Sequence, residues 1–154
     1  MQADSYAGGC LCGAVRYEVS GPAANLCFCH CVSCRRAAGA PMVPWATFAR
    51  EQFRMTRGRL AEYRSSAPVV RGLCAVCGTS LTYRHEGRAG EIDVTLATLD
   101  EPAALAPQMH VWVAEKLPWV RISDGLPHFS SMSLGGGTAY LGTLGGIIAL
   151  RDGN

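Results

Sequence analysis

The sequence predicts a mostly β fold of twisted antiparallel sheets folded over on themselves, with short helical turns. Three observations predict it. Short runs of alternating or continuous apolar residues recur at regular intervals, turn residues separate them, and helical periodicity is nearly absent over long windows. No internal repeat is present. At 154 residues and 49% hydrophobic content the chain reads as one domain, able to bury roughly 68–70% of its unfolded surface.

The elements follow in order. Residues 14–19 place Val15, Tyr17 and Val19 on one face and form a half-buried strand, ended by Gly21 and Pro22. Residues 25–30 form a second strand. Residues 34–39 make one or two helical turns closed by glycine. Residues 41–48 are extended, with Trp45 and Phe48 as apolar anchors. Residues 53–63 fit a short hairpin turning at Arg57 and Gly58. Residues 69–73 form a strand that enters a turn over 74–77, completed by Gly78. Further strands are expected at 81–83, 92–96 and 109–113.

The chain divides into a folded domain over 1–129 and an extension over 130–154. The extension is Ser/Gly-rich at first and apolar over 138–150. Its apolar run is shorter and richer in glycine than a membrane span of roughly 20 residues. It either covers a sheet edge, on a partner subunit in a homo-oligomer, or is a low-complexity tail without function.

Composition excludes several classes. The net charge is +2, Lys116 is the only lysine, and the arginines are scattered, so no nucleic-acid groove is indicated. No membrane partner is expected. The start has neither a basic nor an apolar signal region, and a reducing, cytoplasmic location is expected. No nucleophile elbow, Ser-His-Asp pattern or phosphate loop supports a rival enzyme class.

The cysteines carry the chemistry. Cys10-Leu-Cys12, Cys29-His-Cys31-Val-Ser-Cys34 and Cys74-Ala-Val-Cys77 hold seven of the eight. Residues i and i+2 of an extended chain face the same side, and a Cys-x-x-Cys turn presents two thiolates together. Zinc takes four such ligands in a tetrahedron. Seven sulfurs are too many for one zinc and one too few for two closed sites. One closed site and one with an open position are therefore expected. Disulfides suit short extracellular chains, and the cysteine runs of ferredoxins are missing.

Cys10, Cys12, Cys74 and Cys77 pair into the closed site, since each cluster ends in a glycine that lets amides approach the sulfurs; spacing alone leaves other groupings open. Such a site contributes to folding and does no chemistry. Cys29, Cys31 and Cys34 remain for a zinc with a vacant position, which can hold a thiol as thiolate or polarise a carbonyl. A sulfur-rich open site suits a thiol substrate. Cys27 shares the face of Cys29 and Cys31 and is either a fourth ligand or a small buried apolar residue. His30 points away from its cysteine neighbours and is expected as a hydrogen-bonded strand residue rather than a metal or acid–base group. Arg35 and Arg36 either serve the site or lie on the helix surface. Arg71 is expected on an exposed strand face. His110, Trp112 and Trp119 can line a pocket, with core packing expected for both tryptophans, and His85 and His128 are expected in loops.

Gly8-Gly-Cys-Leu-Cys-Gly13, Cys29-His-Cys-Val-Ser-Cys-Arg-Arg36 followed by Gly39, and Leu73-Cys-Ala-Val-Cys-Gly78 resemble the glutathione-dependent formaldehyde-activating enzyme family, which includes centromere-protein-V-like domains. Thr98-Leu-Asp100 with Pro102, His110-Val-Trp112, Lys116-Leu-Pro-Trp119 and Asp124-Gly-Leu-Pro127 corroborate it. The resemblance implies a twisted all-β fold of the Mss4-like type. It implies a structural zinc on Cys10, Cys12, Cys74 and Cys77 and a catalytic zinc on Cys29, Cys31 and Cys34. The implied reaction adds glutathione, a small-molecule thiol, to formaldehyde, a small aldehyde, and is classed as a carbon–sulfur lyase in reverse. Cys27 and the residues beyond Phe129 exceed the family pattern. The alternatives are a non-catalytic zinc-stabilised binding module and a zinc-buffering or redox thiol protein.

Overall fold

A computed structural model describes residues 4–131. The strands are β1 (Ser5–Gly9), β2 (Arg16–Ser20), β3 (Ala24–Cys29), β4 (Val43–Ala49), β5 (Phe53–Arg57), β6 (Ala61–Ser66), β7 (Val69–Leu73), β8 (Ser80–His85), β9 (Glu91–Thr95) and β10 (Met109–Val111). One short helix, α1 (Val32–Ala38), follows β3. The strands form two sheets, a small one ordered β1-β2-β5 and a large one ordered β10-β3-β4-β9-β8-β7-β6. Neighbours pair antiparallel, except that β10 runs parallel to β3. Among the described residues no helix is long and apolar enough to cross a membrane.

The small sheet lies against one face of the large sheet. Tyr17 and Val19 of β2 meet Ala46 and Phe48 of β4, Leu81 of β8, and Ile92 and Val94 of β9 in one buried cluster. Phe48, Val19, Leu81 and Val94 are completely buried. The intervening residues of the same strands, Trp45, Thr47, Tyr83 and Asp93, face the other way and border a cavity. Period-two alternation thus separates a core face from a cavity face within single strands. β4 is buried along most of its length because both of its faces are covered.

Three expectations change. Residues 53–63 are not a hairpin: β5 pairs with β2, whereas β6 pairs with β7, so the chain passes from the small sheet to the large one after Arg57. Local pattern specifies two extended segments and a turn but not their partners. Phe53 stacks on Tyr17 with ring centroids 5.4 Å apart and draws β5 into the core, while β6 is mostly exposed. β1, with two glycines, carries too weak a β signal to be expected, yet it pairs with β2 along its whole length. Helix α1 begins at Val32, earlier than the expected 34, because the Cys31 sulfur caps it by accepting from the Cys34 amide at 3.3 Å. The apolar part of the extension and its role in self-association lie outside the described residues.

Phe48 supplies the largest apolar side chain at the centre of the core. Phe48→Ala is expected to lower unfolding free energy by about 3–5 kcal/mol, measured by urea denaturation at constant zinc; a loss below about 1 kcal/mol would contradict the assigned core.

Candidate metal centres and the adjoining cavity

Two of the clusters converge on one point. The turn after β1 presents Cys10 and Cys12, and the turn between β7 and β8 presents Cys74 and Cys77, with all four sulfurs within 4.8 Å of one another. Cys10 and Cys12 Sγ are 3.6 Å apart, and Cys12 and Cys74 Sγ 3.8 Å. Ligands about 2.3 Å from a tetrahedral zinc are about 3.8 Å from each other, so the group has the spacing of a zinc site. Gly13 and Gly78 close the two turns with φ of 76° and 77°, a conformation costly for other residues. The Val15 amide donates to Cys10 Sγ at 3.2 Å, and the Thr79 hydroxyl lies 3.2 Å from Cys77 Sγ. The Thr79 hydroxyl and amide pull the Cys77 thiol down to about 5. Cys12 is exposed, so this group sits at the surface.

The second group comprises Cys29, Cys31 and Cys34, again within 4.8 Å. Cys29 ends β3, Cys31 caps α1, and Cys34 lies in its first turn. Cys29 and Cys34 are each only 6% exposed. Thiol hydrogen bonds from Cys29 and Cys34, then the Cys34 amide and the Arg71 charge, hold the Cys31 thiol far below its ordinary value. This group can hold a metal with three sulfurs. Cys27 is not part of it. Cys27 is 5% exposed, paired with Trp45 and Met109 on the flanking strands, and burial pushes its thiol up. It is the small buried residue of the two readings.

The three sulfurs form one wall of a cavity of about 370 Å³, bordered also by Trp45, Trp112, Tyr83 and Arg71. Arg71 corrects an expectation. It is 6% exposed, with guanidinium nitrogens 3.9 and 4.0 Å from Cys34 Sγ. A charged residue inside Val69-Val-Arg-Gly-Leu73 reads equally as a solvent face or a buried functional group; only the covering of that face decides. Trp119 is 68% exposed rather than in the core, and Trp112 is half-buried beside the cavity. His85 ends β8 and borders the cavity. Arg35 bonds the His30 and Glu115 carbonyls and so braces the loop, while Arg36 is surface. The sequence reading also missed Tyr83 and Trp45 as cavity walls; their alternation with Leu81 and Ala46 was the available signal.

His30 does point away from the sulfurs. Its Nε2 lies 2.8 Å from His110 Nδ1, and His110 Nε2 lies 2.8 Å from Asp124 Oδ2. The carboxylate accepts from His110, which fixes the tautomer so that His110 Nδ1 accepts from His30. His128 stands edge-on to His110 at 5.3 Å and forms a bridge with it. Burial first, then the His110 charge, pushes His30 down to about 4. The chain Asp124–His110–His30 therefore anchors the segment Cys29–Cys31 from behind.

No curated protein matches the chain. A crystal structure of a Rhodobacter sphaeroides protein is similar in fold, with a TM-score of 0.52 and 24% identity over 80% of this chain and 98% of that one. The family model described as glutathione-dependent formaldehyde-activating enzyme matches residues 5–115. That span takes in both sulfur groups and every strand, and the chain belongs to the glutathione-dependent formaldehyde-activating enzyme family.

Proposed function

We propose that the protein is a zinc-dependent carbon–sulfur lyase-type enzyme that joins a small-molecule thiol, glutathione by the family resemblance, to a small aldehyde such as formaldehyde. The observation that carries this reading is the group of three sulfurs at a cavity wall, with Cys27 outside it. Cys10, Cys12, Cys74 and Cys77 are assigned to a closed structural zinc. Cys29, Cys31 and Cys34 are assigned to a zinc with a position left for substrate. Bound there, the ion would supply Lewis acidity and favour the thiolate form of an incoming thiol.

The chain's own residues bind and orient. Trp45, Trp112 and Tyr83 give the cavity apolar walls, and the volume suits a tripeptide-sized ligand. Holding thiol and carbonyl together there removes much of the entropic barrier. Attack by sulfur on the carbonyl carbon forms the carbon–sulfur bond, and the thiol proton ends on the new hydroxyl. Asp124, His110 and His30 hold the Cys29–Cys31 segment in place while the cavity fills.

Two outcomes test the reading. Elemental analysis is expected to find two zinc ions per chain, one in a folded Cys31→Ala, and a largely unfolded Cys74→Ala. A structural zinc contributes on the order of 10–16 kcal/mol in small zinc domains, against about 5–15 kcal/mol of total stability. Equal unfolding of both variants would make both centres structural and favour a non-catalytic zinc-stabilised module. In NMR exchange measurements on formaldehyde and glutathione, the zinc-loaded protein is expected to speed adduct exchange and Cys31→Ala to abolish the gain. An unchanged rate at saturating zinc would remove this substrate pair.

A further inference from the structure

Arg71 is the least expected residue near the three sulfurs, and its surroundings are unusual. It is 6% exposed, and among the described residues it forms no ion pair with a carboxylate. Its Nε donates to Ser65 Oγ at 3.1 Å, its face lies 5.1 Å from the centre of the Tyr83 ring, and its two terminal nitrogens straddle Cys34 Sγ at 3.9 and 4.0 Å. A buried guanidinium is always charged and needs an anion. Among the described residues, the anion-forming atom that its fork addresses is the Cys34 sulfur.

The charge count gives that contact a purpose. Three thiolates and one divalent ion leave one negative charge, in a site where Cys29 and Cys34 are each 6% exposed. The four-sulfur group leaves two, but Cys12 there is exposed, and water, the Val15 amide and the Thr79 hydroxyl offset the charge. The three-sulfur group has no exposed member, and its surplus charge needs a donor from the protein. Resting on the assignment of a zinc to Cys29, Cys31 and Cys34, we propose that Arg71 is the built-in counter-charge of this centre: it neutralises the surplus negative charge and fixes Cys34 in its liganding orientation. Arg71 is a positioning residue, anchored by Ser65 and Tyr83. It lies three residues before Cys74 on β7, so one strand serves both centres.

The test is zinc titration of the full chain against a chromophoric chelator, with cobalt substitution as a second readout. Arg71→Met is expected to keep the first, tight zinc and bind the second about 10–100-fold more weakly, the usual loss for an outer partner of a metal ligand. Arg71→Lys, which keeps charge without the fork, is expected to fall between it and the wild type. The thiolate-to-cobalt absorption of the second ion is expected to shift in Arg71→Met and to recover partly in Arg71→Lys. Arg71→Gln is read on the same scale should Arg71→Met fail to fold. Second-ion affinity within about twofold of wild type in the uncharged variants overturns the proposal, and a raised KM for the thiol with unchanged zinc affinity assigns Arg71 to substrate instead. A wild-type protein that stops at one zinc overturns the three-sulfur centre itself and Arg71's role with it. Two zinc ions in wild type with unaltered variants overturn Arg71's role alone.

Discussion

A slip of one residue in β4 would exchange the protein's core for its cavity. Ala46 and Phe48 must meet the small sheet while Trp45 and Thr47 meet the opposite space, and the side-chain period of two leaves no intermediate register. The pairing of β4 with β9, Ala46 opposite Val94 and Phe48 opposite Ile92, holds this alternation with apolar residues on the core face. The same pairing sets Thr47 opposite Asp93 on the other face, with the threonine hydroxyl donating to the carboxylate at 2.6 Å. Burial on both sides makes the register costly to lose. The position of Cys29 follows from it, since β3 is paired with β4 through Cys29 opposite Val43.

The two sulfur groups differ in exposure: Cys12 of the four-sulfur group is exposed, and no member of the three-sulfur group is. At the surface, excess negative charge is shared with water and with donors such as the Val15 amide. In the three-sulfur group no member is exposed, and a buried charge needs a partner built into the protein. The fold supplies candidates for that partnership from strands distant in sequence: Arg71 from β7, the capped start of α1, and behind the segment the histidine pair anchored on Asp124. Similar ligand chemistry thus acquires different partners from its place in the fold.

Much of this was legible along the chain. Residues 69–73 form β7 as expected, and the strands around 92–96 and 109–113 form with small shifts at their ends, because alternation and turn residues are local signals. Cys10, Cys12, Cys74 and Cys77 come together as the glycine ending each cluster suggested, although spacing alone left other groupings open. Residues 53–63 were misread because turn chemistry marks where a strand ends and carries no information about which sheet receives the next one.

The sequence by itself determined the β class and the paired thiols on each ligand turn, both consequences of spacing over a few residues; which turns share a sulfur group was decided by the fold. Tertiary structure alone decided depth and partnership. Cys27 and Cys29 share a strand face by period, yet only the position of α1 separates the residue that joins the group from the one that does not. Trp45, Tyr83 and Arg71 become cavity walls because the other face of each strand is occupied by core or by neighbouring chain. Trp119, apolar by composition, stays 68% exposed because nothing in the described fold is placed over it. Burial is a property of what lies above a residue in space, and that is set by contacts between segments far apart in the chain.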